Sequence, residues 1–202
     1  MQFLHRTAGD PCKLGILPGA FNPVTIAHLA LAHAALPVVD EVVFVLPRAL
    51  PHKDYSGASL VERARILLTA LSGEDRMSVG ISSGGLFVDI AAECREAYGP
   101  DVRLSFLCGA DAAERIASWD YGDPGAFDRM MGQFDLLVAE RGGAFALPHR
   151  ALQLDQDYTH VSATDVRERI LRGEQWEHLV PPTAREHVRR IYAAGPRTTG
   201  RR

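Results

Sequence analysis

Cysteine is scarce. Cys12, Cys94 and Cys108 are the only three in 202 residues. They form no CxxC pair, and an odd, scattered set points to neither a disulfide framework nor a cysteine zinc site. Cys108 follows an apolar run and reads as buried filler rather than as a nucleophile. Long apolar runs are also missing: the one long stretch without Asp, Glu, Lys or Arg, 14–39, is interrupted by Pro18, Gly19, Asn22, Pro23, His28 and His33 and does not read as the ~18 apolar residues of a membrane span. The opening MQFLHRTAGD has no apolar stretch of signal-peptide length. The expectation is a soluble, cytoplasmic protein with no membrane partner. Nor is there an excess of charge. Lys and Arg number 22 against 25 Asp and Glu, leaving a formal net charge of −3. No general attraction to nucleic acid follows from that balance, and any affinity for phosphate has to be local. Internal repeats, linkers and low-complexity blocks are absent.

What is present is an ordinary globular balance, 47% apolar and 23% charged residues, in a length that suits one domain with a sizeable core. A single domain over residues 1–202 is expected, with its core at about 13–193 and a disordered basic tail, GPRTTGRR, at 195–202.

The richest stretch is 13–36, KLGILPGAFNPVTIAHLALAHAAL. Leu14, Ile16 and Leu17 read as a short buried strand, and Pro18, Gly19, Asn22 and Pro23 break it. Ile26, Leu29, Ala30, His33 and Ala34 then recur at helical spacing. A strand, tight turn and helix in succession leave the first N–H groups of the helix unpaired beside the strand's carboxyl end, which is a natural anion site. His28 lies one turn into that helix, with Thr25 three residues earlier on the same face. The same pattern also opens many α/β proteins with no ligand there.

Further on, strands are expected at 41–46 (EVVFVL), 77–81, 103–108 (RLSFLC), 134–139 and, short, at 151–154. Helices are expected at 58–71, with Leu60, Ala64, Leu67, Leu68 and Leu71 inward and Glu62, Arg63 and Arg65 on the other face. More follow at 87–98, from Gly109 to Trp119, at 126–131, at 164–172 with Val166, Ile170 and Leu171 inward, and at 183–193. Alternation of strand and helix implies an α/β fold: an open, doubly wound, Rossmann-like parallel sheet with helices on both faces and a helical C-terminal part. Ligands in such sheets lie beyond the carboxyl ends of the strands where strand order reverses, so the loops at 18–25, 47–57, 109–120 and 155–165 matter most.

Those loops hold the unusual residues. Lys53, after Pro51 and His52, is either a point charge for a phosphate or a plain surface lysine. Asp111, in Gly109-Ala110-Asp111, either stabilises a helix N-terminus or binds a ribose hydroxyl or a metal. VSATDVR (161–167) sets Ser162 and Thr164 at a helix start with Arg167 one turn in, which is either simple capping or a second phosphate grip. Trp119 is either a core-edge anchor or a stacking surface. Two helix N-termini, each with a basic or histidine side chain one turn in, suggest a polyphosphate lying between them.

GAFNPVTIAH resembles the GxFxPxHxGH phosphate motif of nucleotidyltransferases. PHK followed by ERARILL, then LCGAD, Trp119, VSATDVR and EHLVPPTAREHVRR stand in the same order as in the nicotinate/nicotinamide mononucleotide adenylyltransferases. The resemblance runs from about Lys13 to Ala193. It implies transfer of AMP from ATP to a pyridine mononucleotide, with Mg²⁺ held mainly by the ATP phosphates and no protein metal ligand. It also implies roles by position. Gly19, Ala20 and Phe21 (backbone), Thr25 and His28 would hold phosphates of ATP, with Lys53 adding a charge. Ser162, Thr164 and Arg167 would take the β- and γ-phosphates, Gly109 and Asp111 would lie by the ribose, and Phe87 and Trp119 would meet the acceptor. His28, Lys53 and Arg167 are the expected catalytic groups. The chain departs from the family pattern at Thr25, where the first motif His usually stands, at Pro18, Ala20 and Ala27 around the turn, at Ala163, and at Phe87, where bacterial relatives carry a polar Thr. Two other readings follow from these departures: the same chemistry on a different phosphorylated acceptor, or nucleotide binding without catalysis. Preference for the acid or amide pyridine, and whether the protein is a homo-oligomer, are open at this level.

Overall fold

The computed structural model describes residues 1–49, 57–118, 125–139 and 148–193. Seven strands form one sheet in the order β1-β4-β3-β2-β5-β6-β7: β1 (Gln2–His5), β2 (Lys13–Pro18), β3 (Glu41–Pro47), β4 (Met77–Ser82), β5 (Arg103–Gly109), β6 (Asp135–Ala139) and β7 (Arg150–Leu152). All neighbours from β4 to β7 pair in parallel, and β1 lies antiparallel along the free edge of β4. The chain starts the parallel part at β2, winds outward through β3 and β4, then returns to the other side of β2 to lay down β5, β6 and β7. Strand order therefore reverses between β2 and β5, and the crevice beyond their carboxyl ends is the place for a ligand.

Alternation in the strands divides the core. Val42, Phe44 and Leu46 of β3 face one side of the sheet, and Val43 and Val45 face the other. On the first side lie α1 (Ile26–Ala35), α2 (Leu60–Ala70), α6 (Ala163–Arg172) and α7 (Arg185–Tyr192). On the second lie α3 (Phe87–Tyr98), α4 (Ala110–Ser118) and α5 (Ala126–Met131). Every residue of β3 is buried, as a central parallel strand requires. Its first residue, Glu41, accepts a hydrogen bond from the Tyr98 hydroxyl at 2.6 Å, which supplies the partner that a buried carboxylate needs.

Several expectations are corrected. The edge strand β1 was not anticipated from the sequence. In α1 the buried residues are Leu31, Ala32 and Ala35, while His33 is exposed and bonds Glu74 at 3.1 Å. Ile26, Leu29 and Ala34 of the expected set pack against the same core as partly buried neighbours, so the inward face of this alanine-rich helix is wider than the spacing suggested and only His33 of that set is turned out of it. Leu171 of α6, expected inward, is 75% exposed. The helix expected at 183–193 opens with a 3₁₀ turn, Pro182–Ala184, before α7. Arg63, expected on the solvent face of α2, is 4% exposed. Trp176 is buried against the core. Cys108, by contrast, is buried as expected, and so is Cys94; desolvation pushes both thiols up to about 12, so neither is a ready thiolate. Among the described residues no helix is long and apolar enough to cross a membrane.

Candidate active site

The turn after β2 is built around one strained residue. Phe21 has φ +44, a left-handed conformation that disfavours a residue with a Cβ by ~1–2 kcal/mol. Its ring is buried and packs at 5.1 Å from the His28 ring and 5.5 Å from Phe44, and full burial of a Phe side chain returns ~1.5–3 kcal/mol. The ring folds back beneath Gly19, where an added Cβ would lie 3.0 Å from Phe21 Cζ. That close approach is why glycine stands there. The Gly19 N–H donates to the Val45 carbonyl at 3.0 Å, so it extends the sheet.

Two arginines hold the carbonyls of this turn. Arg63 Nη1 donates to Ala20 O at 2.7 Å, and its Nε donates to Ala58 O at 3.3 Å. From the other helix, Arg167 Nη1 donates to Asn22 O at 2.6 Å and to Ala163 O at 3.1 Å, while Nη2 donates to Thr164 Oγ1 at 3.2 Å. The Asn22 side chain is buried and accepts from the Tyr192 hydroxyl at 2.5 Å. Gly57 (φ +133) lies so close that a Cβ on it would be 2.5 Å from Asn22 Nδ2. The turn is thereby tied to α2, α6 and α7.

Thr25 is the N-cap of α1, in extended conformation, and is fully buried. Its backbone N–H donates to His28 Nδ1 at 3.0 Å, and its hydroxyl lies 2.7 Å from the same nitrogen. A nitrogen that accepts from the Thr25 N–H carries no proton itself, so the ring proton belongs on Nε2. Burial lowers the imidazole to about 4, which keeps it neutral at physiological pH. His28 is therefore a neutral Nε2–H donor in a fixed orientation.

That lowered value has a measurable consequence. Above about pH 6.5, the ordinary histidine value, the ring is neutral in folded and unfolded chains alike. Between there and about 4, only the unfolded chain takes the proton, so stability falls as pH falls. Urea denaturation at pH 7.0, 5.5 and 4.5 is expected to lose less stability in His28→Gln than in the wild type; equal losses would contradict the assignment.

At the second helix, Ser162 is the N-cap of α6, and its Oγ accepts from the Asp165 N–H at 3.0 Å. Thr164 follows in the first turn and Arg167 one turn in. Gly109 ends β5 at the reversal of strand order, and a Cβ there would meet nothing among the described residues within 4 Å. Asp111 is in the first turn of α4. Phe87 begins α3, and its ring stacks on Phe106 at 4.2 Å and 12°, with Phe134 at 6.0 Å; it is engaged in the second core. Lys53 and Trp119 lie outside the described residues.

The structure thus gathers Gly19, Ala20, Phe21, Thr25, His28, Thr164 and Arg167 about one turn, with Ser162 at the start of the facing helix. Arg63, Asn22 and Tyr192 join them without having been singled out from the sequence. The spacing did contain the signal for Arg63, since Arg63, Ile66, Leu67 and Ala70, all buried in α2, stand at i, i+3, i+4 and i+7.

Comparison with known proteins bears on this site. Residues 16–169 match the cytidylyltransferase-like family model. A Rubrobacter xylanophilus protein described as a probable nicotinate-nucleotide adenylyltransferase is 30% identical over 93% of this chain and 95% of its own. A Moorella thermoacetica protein of the same description is 28% identical over 94% and 95%. The structure of Plasmodium falciparum nicotinic acid mononucleotide adenylyltransferase complexed with NaAD has the same fold, with a TM-score of 0.68 over 88% of this chain and 95% of its own, at 14% identity. With relatives matched almost end to end and the family model running from β2 into α6, the chain belongs to the cytidylyltransferase-like family, among its nicotinate-nucleotide adenylyltransferases.

Proposed function

We propose that this chain, acting as one nucleotidyltransferase domain, transfers AMP from ATP to nicotinate mononucleotide. The products are the dinucleotide and pyrophosphate. The observation that carries the reading is the Arg167 to Asn22 bond at 2.6 Å, which joins the N-terminal turns of α1 and α6 into one anion-binding unit at the reversal of strand order. The names of the relatives supply the acceptor.

In the reaction a phosphate oxygen of the acceptor forms a bond to the α-phosphorus of ATP while the bond from that phosphorus to the bridging oxygen breaks. The leaving pyrophosphate takes the electron pair. No protein nucleophile is needed, and the protein contributes orientation and charge stabilisation. The Nε2–H of His28 and the free N–H groups of α1 would face the α- and β-phosphates. Arg167 makes three hydrogen bonds within the protein, and of its five donors the Nε–H and one Nη2–H would serve a β- or γ-phosphate oxygen. Thr164 and the N-terminal N–H groups behind the Ser162 cap would lie beside those phosphates. Ala20 and Phe21 contribute backbone, and Gly19 the room for the Phe21 ring. Thr25 acts through His28, as its orienting group. By the same resemblance Gly109 and Asp111 would lie by the ribose, Trp119 would meet the acceptor and Lys53 would add a charge to a phosphate, whereas the Phe87 ring, stacked on Phe106, would offer the acceptor at most an edge of the second core.

Mg²⁺ enters with the nucleotide. Among the described residues no group of three or more His, Cys, Asp or Glu is arranged for a metal. Polyphosphate oxygens and water suit the octahedral preference of this ion, and its chemistry is neutralisation of phosphate charge.

The test is pyrophosphate release from ATP and Mg²⁺ with a panel of acceptors. Nicotinate mononucleotide should give the highest kcat/KM, with nicotinamide mononucleotide behind it. Release with a non-pyridine acceptor alone would overturn the acceptor assignment, and ATP binding without release would overturn catalysis.

A further inference from the structure

Arg63 has no part in the reaction as set out above, yet it reaches the turn that does. The residue is 4% exposed, and its guanidinium donates to the Ala20 carbonyl at 2.7 Å and the Ala58 carbonyl at 3.3 Å. A guanidinium this buried is unfavourable unless its donors find acceptors, and apolar residues of similar volume often do as well or better for stability alone. The Ala20 carbonyl and the Phe21 N–H belong to one peptide unit. In a planar trans peptide they point in opposite directions, so drawing the oxygen toward α2 turns the Phe21 N–H away from it. The left-handed conformation of Phe21 (φ +44) is disfavoured for a residue with a Cβ, so this orientation of the peptide has to be held by contacts from outside the turn.

We propose that Arg63 is a positioning residue of the anion site: from behind the turn it holds the Ala20–Phe21 peptide so that the Phe21 N–H is presented to a bound polyphosphate. The assignment rests on the nucleotidyltransferase reading of the site. It does not depend on which acceptor is used.

The test uses inorganic pyrophosphate as the probe, with the full chain as wild type, Arg63→Met and Arg63→Lys. Calorimetry gives the affinity, the Phe21 amide resonance of ¹⁵N-labelled protein gives the orientation, and kcat and KM for ATP are measured alongside. Arg63→Met should bind pyrophosphate about 10- to 100-fold more weakly, the effect of losing one charge-assisted hydrogen bond, with a displaced Phe21 resonance and a lower kcat. Arg63→Lys keeps the charge but loses the fork, and should recover part of the affinity. Arg63→Met that melts lower while keeping pyrophosphate affinity within about twofold (under half a kcal/mol) and an unmoved Phe21 resonance would overturn the proposal, leaving Arg63 a packing residue. If Arg63→Met does not fold, the same two readouts on Arg63→Lys decide, unchanged values again overturning it. A wild type that binds pyrophosphate but transfers no AMP would refute the proposed function while leaving the Arg63 comparison readable.

Discussion

His28→Ala is expected to slow AMP transfer at saturating ATP by about 10²- to 10³-fold, or ~2.7–4 kcal/mol, the loss that follows removal of one preorganised donor at a developing charge. The size follows from how the ring is held. Nδ1 accepts from the Thr25 N–H at 3.0 Å, so the Nε2–H is aimed before substrate arrives and needs no reorganisation in the transition state. Burial holds the imidazole neutral, near 4. A neutral donor contributes little to binding of ground-state ATP, so KM should change far less than kcat. Single-turnover chemistry and ATP affinity measured side by side decide the matter: tight binding lost with turnover intact would make His28 a ground-state contact. Neutrality also implies that the rate should not fall through the ordinary histidine range as pH rises from 6 to 8.

Replacing Arg167 with lysine should be almost as harmful as replacing it with alanine, lowering kcat/KM by about 10²-fold or more. The guanidinium spans three protein acceptors, Asn22 O at 2.6 Å, Ala163 O at 3.1 Å and Thr164 Oγ1 at 3.2 Å. An ammonium is a point donor that cannot hold the Asn22 carbonyl and still present a fork to a phosphate. Each charge-assisted hydrogen bond lost contributes ~1.5–3 kcal/mol, and the lysine variant loses at least one to the turn and one to the substrate. Parallel kinetics of the two variants check this; near-wild-type activity in Arg167→Lys would mean that charge alone suffices.

The secondary structure was largely legible because its signals are local. The all-apolar run EVVFVL became the fully buried β3, and the turn residues Gly99 and Pro100 end α3 at Tyr98. Where the local signal was weak, tertiary contacts decided. β1 is four residues long and half-exposed, with no periodicity to distinguish it from a loop; it is a strand because β4 offers a free edge. The helix α1 is alanine and leucine on most of its surface, with His28 and His33 its only polar side chains, so spacing could not say which residues face the sheet most deeply. Leu171 shows the reverse case: it is 75% exposed because the inward stripe of α6 runs through Val166 and Ile170, and the next residue turns about 100° away from it.

The sequence by itself determined the kind of site. Glycine, proline and asparagine must end the first parallel strand, a helix must start with His28 one turn in, and a second helix must start with Arg167 one turn in, since each depends on neighbours within a few residues. It could not determine that these turns touch. The bond from Arg167 to Asn22 spans 145 positions, and that from Tyr192 to Asn22 spans 170. Such pairings exist only once the sheet has reversed its winding between β2 and β5 and brought α6 and α7 back over the first turn. Charge alone also misplaced Arg63, because an arginine in an amphipathic helix reads as solvated until a backbone carbonyl 43 positions away is found to be its partner. Local chemistry can be read along the chain, whereas the partner that satisfies a buried donor is supplied by topology.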